Sequence, residues 1–338
     1  MLHAGIFAYS WPQIANVPFM NRTQSSLFRR VRLYSRIAVA TATLLSIVFS
    51  SSLGSESLNW QVVMAAVALG VGIPHGALDH LVTLKNAAPL KMTIFILIYV
   101  AAALAAIWAI LQWNVWGFVA VVLMSSLHFG IGDSAFIAEL DRLENRVGSP
   151  IPVWAYAGAA GLLPVVIPLV NERSTQALEK INSNLIEWHF GYTQEIQLLV
   201  ALIALLSLTA LIIRKRLSEV FDLVLLGALA SFAPPLVAFS VYFGCWHAMR
   251  HTARLTSLLP SSQKAYKRGS ELGAFKAAVI PGLPALLGTI VFVVVLAVLS
   301  DQGISSSFLW LALVTVWALT VPHMIVTAKL DRAAFKSK

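Results

Sequence analysis

Six histidines lie inside apolar stretches that are long enough to cross a lipid bilayer. They occur in four short motifs, PHGALDH with His75 and His80, HFGIGD with His128, WHAMRH with His247 and His251, and PH with His323. A polar side chain in hydrocarbon is costly unless it has a partner. One such histidine is explained by a helix-to-helix hydrogen bond worth about 1 kcal/mol. Six of them indicate a shared metal ion, since neutral imidazole is the commonest protein metal ligand.

The spacing of the histidines and nearby carboxylates also favours a metal site. His247 and His251 are four residues apart, so on a helix they lie on one face at a spacing suited to chelation. Asp79 follows His75 by four residues, and Asp133 ends the HFGIGD motif. Carboxylates in such positions more often orient a ligand imidazole than bind the metal themselves. Both aspartates are therefore predicted to support ligand histidines.

The composition requires these histidines to be positioned by membrane helices. Hydrophobic residues make up 58% of the 338 residues and charged residues only 12%, with a mean hydropathy of +0.79. Soluble domains contain about 25% charged residues. The single cysteine, Cys245, excludes an intramolecular disulfide framework and a cysteine-based metal cluster.

Nine apolar stretches follow one another along the chain, most of them close to the roughly 20 residues that a helix needs to cross a bilayer. They cover residues 37–53, 61–84, 92–111, 115–136, 151–170, 196–213, 217–249, 277–299 and 308–327. The stretch 217–249 contains the Pro234–Pro235 pair, which predicts a turn between two short or re-entrant helices. The sequence therefore predicts an all-α, polytopic transmembrane helix bundle of about ten membrane segments.

A topology of ten segments places most of the basic residues on one side of the membrane. The loops that carry most of the 24 Lys and Arg residues then face the cytoplasm together with both termini, and only Arg173 and Lys180 lie outside. The basic loop after Arg250 joins this side. The net charge of +9 follows from this topology and from attraction to anionic lipid headgroups, so nucleic-acid binding is not needed to explain it.

The same topology places the six intramembrane histidines at one depth, in the cytoplasmic half of the bilayer. The four segments that carry them all run from outside to inside. The two remaining histidines, His3 in the N-terminal tail and His189 in an outer loop, are predicted to be solvated or interfacial.

The four motifs, in this order, resemble those of the Brp/Blh family of membrane-bound beta-carotene 15,15'-dioxygenases. The resemblance covers residues 70–326, and WHAMRH departs from it at Ala248, where the family has a small hydroxylated residue. Residues 1–55 lie outside this resemblance and are predicted to form a cytoplasmic tail with an extra anchoring helix. Residues 56–330 are then the catalytic bundle and residues 331–338 a cytoplasmic tail.

The resemblance implies an Fe(II) enzyme of the bacterial inner membrane that cleaves beta-carotene with O2 into two molecules of retinal, often to supply a rhodopsin. It implies the iron ligands His75, His128, His247 and His251. His80 and His323 are expected beside them, as supporting or pocket residues. The side chains next to the motifs are candidates to line a tunnel for the polyene, namely Phe129, Tyr242, Phe243, Trp246 and Met249.

Two other functions remain open from the residues alone. Six histidines also permit a membrane di-iron hydroxylase or desaturase that acts on a lipid, although such enzymes carry their histidines in polar loops. A non-enzymatic alternative is a bis-histidine haem protein or a metal transporter. A transporter would be expected to have polar residues along the outer half of the membrane, and these stretches have almost none there.

Overall fold

The structure, a computed structural model, describes residues 18–84, 87–146, 150–299 and 306–336. Within these ranges the regular structure is entirely helical, and no strand occurs, as the sequence predicted. The α-helices are α1 Pro18–Leu53, α2 Leu58–Gly76, α3 Asp79–Thr83, α4 Pro89–Trp113, α5 Val115–Leu143, α6 Val153–Val166, α7 Glu172–Ile181, α8 Thr193–Ile213, α9 Leu217–Phe232, α10 Pro235–Val241, α11 Met249–Leu255, α12 Pro260–Lys267, α13 Glu271–Val279, α14 Leu283–Leu299 and α15 Ser306–Lys336. Short 3-10 turns cover Ile167–Val170, Ser183–Ile186 and Ile280–Gly282, and a π-helical turn covers Tyr242–Ala248.

Eight helical segments in the described part of the chain are long and apolar enough to cross a membrane. Their outward faces carry large exposed apolar side chains, for example Leu97, Trp108 and Leu198. Side chains of this kind are stable on an outer surface that contacts lipid, because the hydrocarbon is as apolar as they are. The chain is therefore a multi-pass membrane protein with its polar residues packed inside the bundle.

Two further segments form the short pair that the sequence predicted at Pro234–Pro235. Helix α9 ends at Phe232, and a new helical run begins at Pro235 and continues through α10, the π-helical turn and α11 to Leu255. Ala233 is extended, as expected for a residue that precedes proline, and Pro235 occupies the first helical turn, where no backbone N–H is needed. The break returns the chain into the bundle.

Helix α1 begins much earlier than the predicted first membrane segment. The sequence placed the start of that segment at residue 37, after a basic cluster that was expected in the tail. The helix instead starts at Pro18, and Arg32 is buried. Its guanidinium lies 2.7 Å from the carboxylate of Asp222 and 2.8 Å from that of Glu219, both on α9. Paired charges tolerate burial that an isolated charge does not.

The basic loop predicted after the second short segment also begins later than expected. Arg250 and Arg254 belong to α11 and are both buried. Arg254 lies 2.6 Å from Asp331 and 3.1 Å from Glu139. These acidic partners come from α5 and α15, so no local pattern around residue 250 indicated that the arginines would be enclosed.

Glycines allow the helices that carry the histidine motifs to pack closely. A methyl group at Gly244 would collide with the backbone carbonyl of Ala68, and one at Gly130 would collide with that of Ala157. These contacts hold the π-helical turn against α2 and hold α5 against α6. Small residues at such positions let two backbones approach, which is typical of membrane helix packing.

Candidate metal centre

The structure brings five of the six intramembrane histidines into one buried cluster. The five, which we call the histidine cluster, are His75, His128, His247, His251 and His323. Four different segments supply them, namely α2, α5, the run from Pro235 to Leu255, and α15. None of the five is more than 6% exposed. Residues that are far apart in the sequence therefore form one enclosed site.

The imidazole rings of the cluster are close neighbours. The ring centroid of His75 lies 4.9 Å from that of His323 and 5.5 Å from that of His251. His128 lies 4.9 Å from His247 and 5.3 Å from His323. The widest recorded ring contact, between His75 and His247, is 6.0 Å. The five rings therefore surround a common space.

His80 does not join this cluster. Helix α2 ends at Gly76, and α3 starts at Asp79, so the helix is interrupted inside the PHGALDH motif. His80 is half-buried, and the ring contacts found in the described ranges do not include it. The sixth imidazole thus lies apart from the five.

Two imidazoles of the cluster are held by hydrogen bonds at Nδ1. His75 Nδ1 contacts the backbone carbonyl of Gly72. His323 Nδ1 lies 2.8 and 3.0 Å from the two carboxylate oxygens of Asp79, which also accepts a hydrogen bond of 3.0 Å from the Tyr99 hydroxyl. The sequence paired Asp79 with His75 by spacing, whereas the fold places it against His323 on α15.

The other ring nitrogens test whether the cluster fits a metal ion. Every imidazole of the cluster keeps a buried nitrogen with no hydrogen-bond partner among the described residues. These atoms are Nε2 of His75, His128 and His323 and both nitrogens of His247 and His251. A buried polar atom without a partner costs about 1–3 kcal/mol. Several such atoms in one space are explained by a cation that they bind together.

The cluster reaches metal-binding geometry only if its side chains rotate. In the described ranges no three His, Cys, Asp or Glu side chains already stand as a closed set of ligands. A metal–nitrogen bond is about 2.1 Å long. Ring separations of 4.9–6.0 Å leave the ring nitrogens within reach of one ion after small rotations. The residues present therefore fit a divalent metal with imidazole ligands.

The π-helical turn and a glycine position His247. The turn ends at Ala248, so it carries His247 immediately before α11 presents His251, and the two rings lie 5.9 Å apart and nearly parallel. A methyl group at Gly132 would lie 2.8 Å from Cε1 of His247. Gly132 on α5 thus leaves the space that this imidazole occupies. π-helical turns occur frequently at functional sites.

Asp133 belongs to a polar network behind His247. Its carboxylate accepts hydrogen bonds from Trp246 Nε1 at 2.6 Å and from the Tyr242 hydroxyl at 3.2 Å. His247 Nδ1 lies 4.0 Å away. The Arg250 guanidinium lies over the Trp246 ring, 3.5 Å from its centroid. Tyr242 and Trp246, predicted to line a tunnel, therefore point their polar atoms at Asp133.

Two other predicted tunnel residues, Phe129 and Phe243, contact the cluster. The Phe129 ring is 4.7 Å from that of His247, and the Phe243 ring is 5.3 Å from that of His75. Met249 is half-buried and packs against the hydrophobic core. Phe129 and Phe243 thus form an aromatic wall on one side of the imidazoles.

An apolar cavity of about 40 Å³ adjoins this wall. Its lining consists of Phe118, Val121, Val122, Ser125, Val165, Leu169, Pro235, Leu236, Phe239, Leu313 and Trp317. Phe239 links the cavity to the cluster, because its ring contacts both Phe129 and Phe243. Ser125 lies one helical turn before His128 on α5. This volume is below the range of about 300–1,000 Å³ that is usual for small-molecule sites, so a ligand enters only if the lining side chains move apart.

Of the two histidines predicted to be solvated or interfacial, only His189 belongs to the described residues, and its recorded partners are not members of the cluster. His189 is half-buried after the 3-10 turn Ser183–Ile186, where its Nδ1 accepts a hydrogen bond of 3.1 Å from the backbone N–H of Gly191. His3 lies outside the described residues.

Two groups near the cluster were missed by the sequence analysis. Tyr99, on α4, has no motif around it, and nothing local connects it with Asp79. Asp222 had a signal, since an acidic residue within the apolar run of α9 is itself unusual. It contacts Arg32, Arg36 and Arg250.

Comparisons with known proteins agree with the family that the four motifs resemble. The family model described as Beta-carotene 15,15'-dioxygenase matches residues 64–331. The chain is similar to a protein named Beta-carotene 15,15'-dioxygenase from an uncultured marine bacterium, 66A03, at 28% identity over 81% of this chain and 94% of the relative. It is also similar to one named Probable beta-carotene 15,15'-dioxygenase Blh from Halobacterium salinarum, at 25% identity over 94% of this chain and 97% of the relative. No solved structure matches the chain.

Proposed function

The chain belongs to the beta-carotene 15,15'-dioxygenase family, and from this premise we propose that it cleaves the central double bond of beta-carotene with O2 to give two molecules of retinal. It is in this view a carotenoid-cleaving oxidoreductase. The observation that carries the proposal is the set of five enclosed imidazoles with unpartnered nitrogens, next to an apolar cavity within a membrane bundle.

Iron(II) is the metal that we propose for the histidine cluster. The family resemblance gives the four ligands His75, His128, His247 and His251. Imidazoles are neutral ligands that suit iron. When bound, iron(II) supplies the activation of O2, which no side chain provides by itself. The chain contributes the ligands, fixes the ring orientation of His75 through the carbonyl of Gly72, and keeps water away by burial.

The apolar cavity is our proposed starting point for a site that holds one half of the carotene, and its lining side chains must move apart to admit the substrate. Beta-carotene is a wholly apolar rod about as long as a bilayer core is thick, so it reaches a site in a membrane bundle from the lipid without an aqueous step. The lining offers almost only apolar side chains, and the Phe129–Phe243 wall continues from it to the imidazoles. A rod that extends from the cavity along this wall brings a double bond of its middle part to the histidine cluster.

We further propose that the chain lies in the bacterial inner membrane with both termini in the cytoplasm, where its retinal supplies a rhodopsin. This orientation places the loop around Gly269, between α12 and α13, on the cytoplasmic side. A reporter inserted at that loop is expected to behave as cytoplasmic. A periplasmic result would overturn the orientation.

Expression in a bacterium that accumulates beta-carotene tests the reaction. Cells that make the protein are expected to lose their yellow colour and to accumulate retinal, measured by chromatography of the extracted pigments. Cells with the empty vector keep the carotene. If the protein is present in the membrane with iron bound and the carotene is neither lost nor converted to retinal, the proposed reaction is wrong.

Filling the cavity is expected to weaken use of the substrate. Ser125→Phe adds a ring to the cavity wall, and overfilling a packed site costs about 1–3 kcal/mol, so retinal formation from limiting carotene should fall about 5- to 150-fold. Bound iron should stay unchanged. Leu123→Phe, on the exposed face of the same helix, is the matched control and should keep wild-type rates. Equal rates for both variants would contradict the cavity assignment.

A further inference from the structure

His323 was expected only to support the metal site, but its surroundings are those of a ligand. We propose that His323 is a fifth imidazole ligand of the metal and that Asp79 and Tyr99 hold it in place. This inference rests on the proposed metal function of the cluster. The ring of His323 contacts three of the other four imidazoles, those of His75, His128 and His251.

The two nitrogens of His323 have different roles. A carboxylate only accepts hydrogen bonds, so the short contacts to Asp79 identify Nδ1 as the protonated nitrogen of the neutral ring. Nε2 then carries the lone pair that can bind a metal. This nitrogen is buried and has no hydrogen-bond partner among the described residues.

His75 shows the same division of roles. Its Nδ1 contacts the carbonyl of Gly72, and its Nε2 is buried without a partner in the described part of the chain. Metal-binding histidines almost always donate the second ring N–H to a carboxylate or a backbone carbonyl, which fixes the tautomer and ring direction. The acceptor for His323 is a carboxylate, and the acceptor for His75 is a backbone carbonyl.

Tyr99 completes the support of His323. Its hydroxyl donates to Oδ2 of Asp79, while both oxygens of that carboxylate face Nδ1 of His323. The carboxylate is therefore fixed from α4 on one side and from α15 on the other. Asp79 and Tyr99 are positioning residues, because they act on the metal only through His323.

A purely structural role for His323 makes a different prediction. In that case the contact with Asp79 only joins α3 to α15, and any side chain that donates a hydrogen bond to Asp79 preserves the site. His323→Gln separates the two roles, because its amide N–H can donate to Asp79 while the imidazole is lost. His323→Ala removes both groups.

The experiment uses the full-length protein reconstituted with cobalt(II), whose visible absorption reports the number and type of ligands. His323→Gln and His323→Ala are both expected to change the absorption bands and to bind cobalt at least about 100-fold more weakly. Added imidazole should restore the bands of His323→Ala. Asp79→Asn should keep the band shape and lower affinity about 10- to 100-fold, as expected for loss of an outer hydrogen-bond partner.

His189→Ala, outside the cluster, is the control and should bind cobalt as the wild type does. Wild-type bands and affinity in His323→Gln would overturn the fifth ligand and leave the proposed function standing. A wild-type protein that binds neither cobalt nor iron would overturn the metal centre itself and the fifth ligand with it.

Discussion

Replacing His247 and His251 together by alanine is expected to abolish metal binding and retinal formation. The two imidazoles come from adjacent turns of one helical run, their rings are 5.9 Å apart, and both have unpartnered nitrogens. Removal of two ligands should lower metal affinity by more than the roughly 10- to 100-fold that follows removal of one hydrogen-bond partner of a ligand. Metal analysis of the purified variant and chromatography of its retinal product measure the two effects.

The control for this double variant is His189→Ala, which should keep both metal and activity because His189 lies outside the cluster. Thermal unfolding of the metal-free proteins distinguishes loss of ligands from loss of fold. A double variant that retains a full complement of iron would remove the histidine cluster as the metal site.

Asp222→Asn is expected to lower the free energy of unfolding by about 3–5 kcal/mol. The Asp222 carboxylate is fully buried and lies 2.7 Å from Arg32, 2.6 Å from Arg36 and 3.6 Å from Arg250. Removal of one partner of a buried pair leaves uncompensated charge, which is the origin of this large cost. Unfolding of the detergent-solubilised protein by heat or denaturant measures it.

The same substitution should also reduce metal loading. Arg250 lies between His247 and His251 in sequence and is held by Asp222 and by the hydroxyl of Ser35. Loss of the carboxylate therefore loosens the segment that carries two ligands.

Glu271→Gln provides the matched control for Asp222→Asn. Its carboxylate lies 3.0 Å from Arg30, but the cation of this pair is exposed, with 62% of the Arg30 side chain accessible against 21% of the Glu271 side chain. Exposed pairs contribute at most about 1 kcal/mol, so the variant should unfold almost as the wild type does. Equal unfolding of both variants would contradict the stabilising role assigned to the buried network.

The Asp222 prediction concerns α1 as much as the helices that carry the motifs. The family match begins at residue 64, after α1 has ended at Leu53. Arg32 and Arg36 nevertheless reach Asp222, which also contacts the arginine between two cluster histidines. Helix α1 thus contributes to the packing of the site although it contains none of the motif residues.

The sequence alone predicted the class of protein, most of its membrane segments and the histidine motifs that the fold brings together. Apolar stretches of bilayer length leave few structures other than helices, because backbone polar groups in lipid must be satisfied within the segment. The turn at Pro234–Pro235 was also predictable, since proline acts on the backbone next to it. The pairing of His247 with His251 followed from helical spacing, which is a local property.

Only the tertiary structure decided which polar groups meet. His80 stays outside the cluster, and Asp79 contacts His323, which is 244 residues away in sequence. Partners for Arg32 and Arg254 come from other helices in the same way. Spacing along one helix defines the face on which a residue lies. The neighbour opposite that face depends on how the helices pack. Packing in turn depends on close contacts between two segments, such as the one between Gly244 and Ala68, and neither segment encodes such a contact by itself.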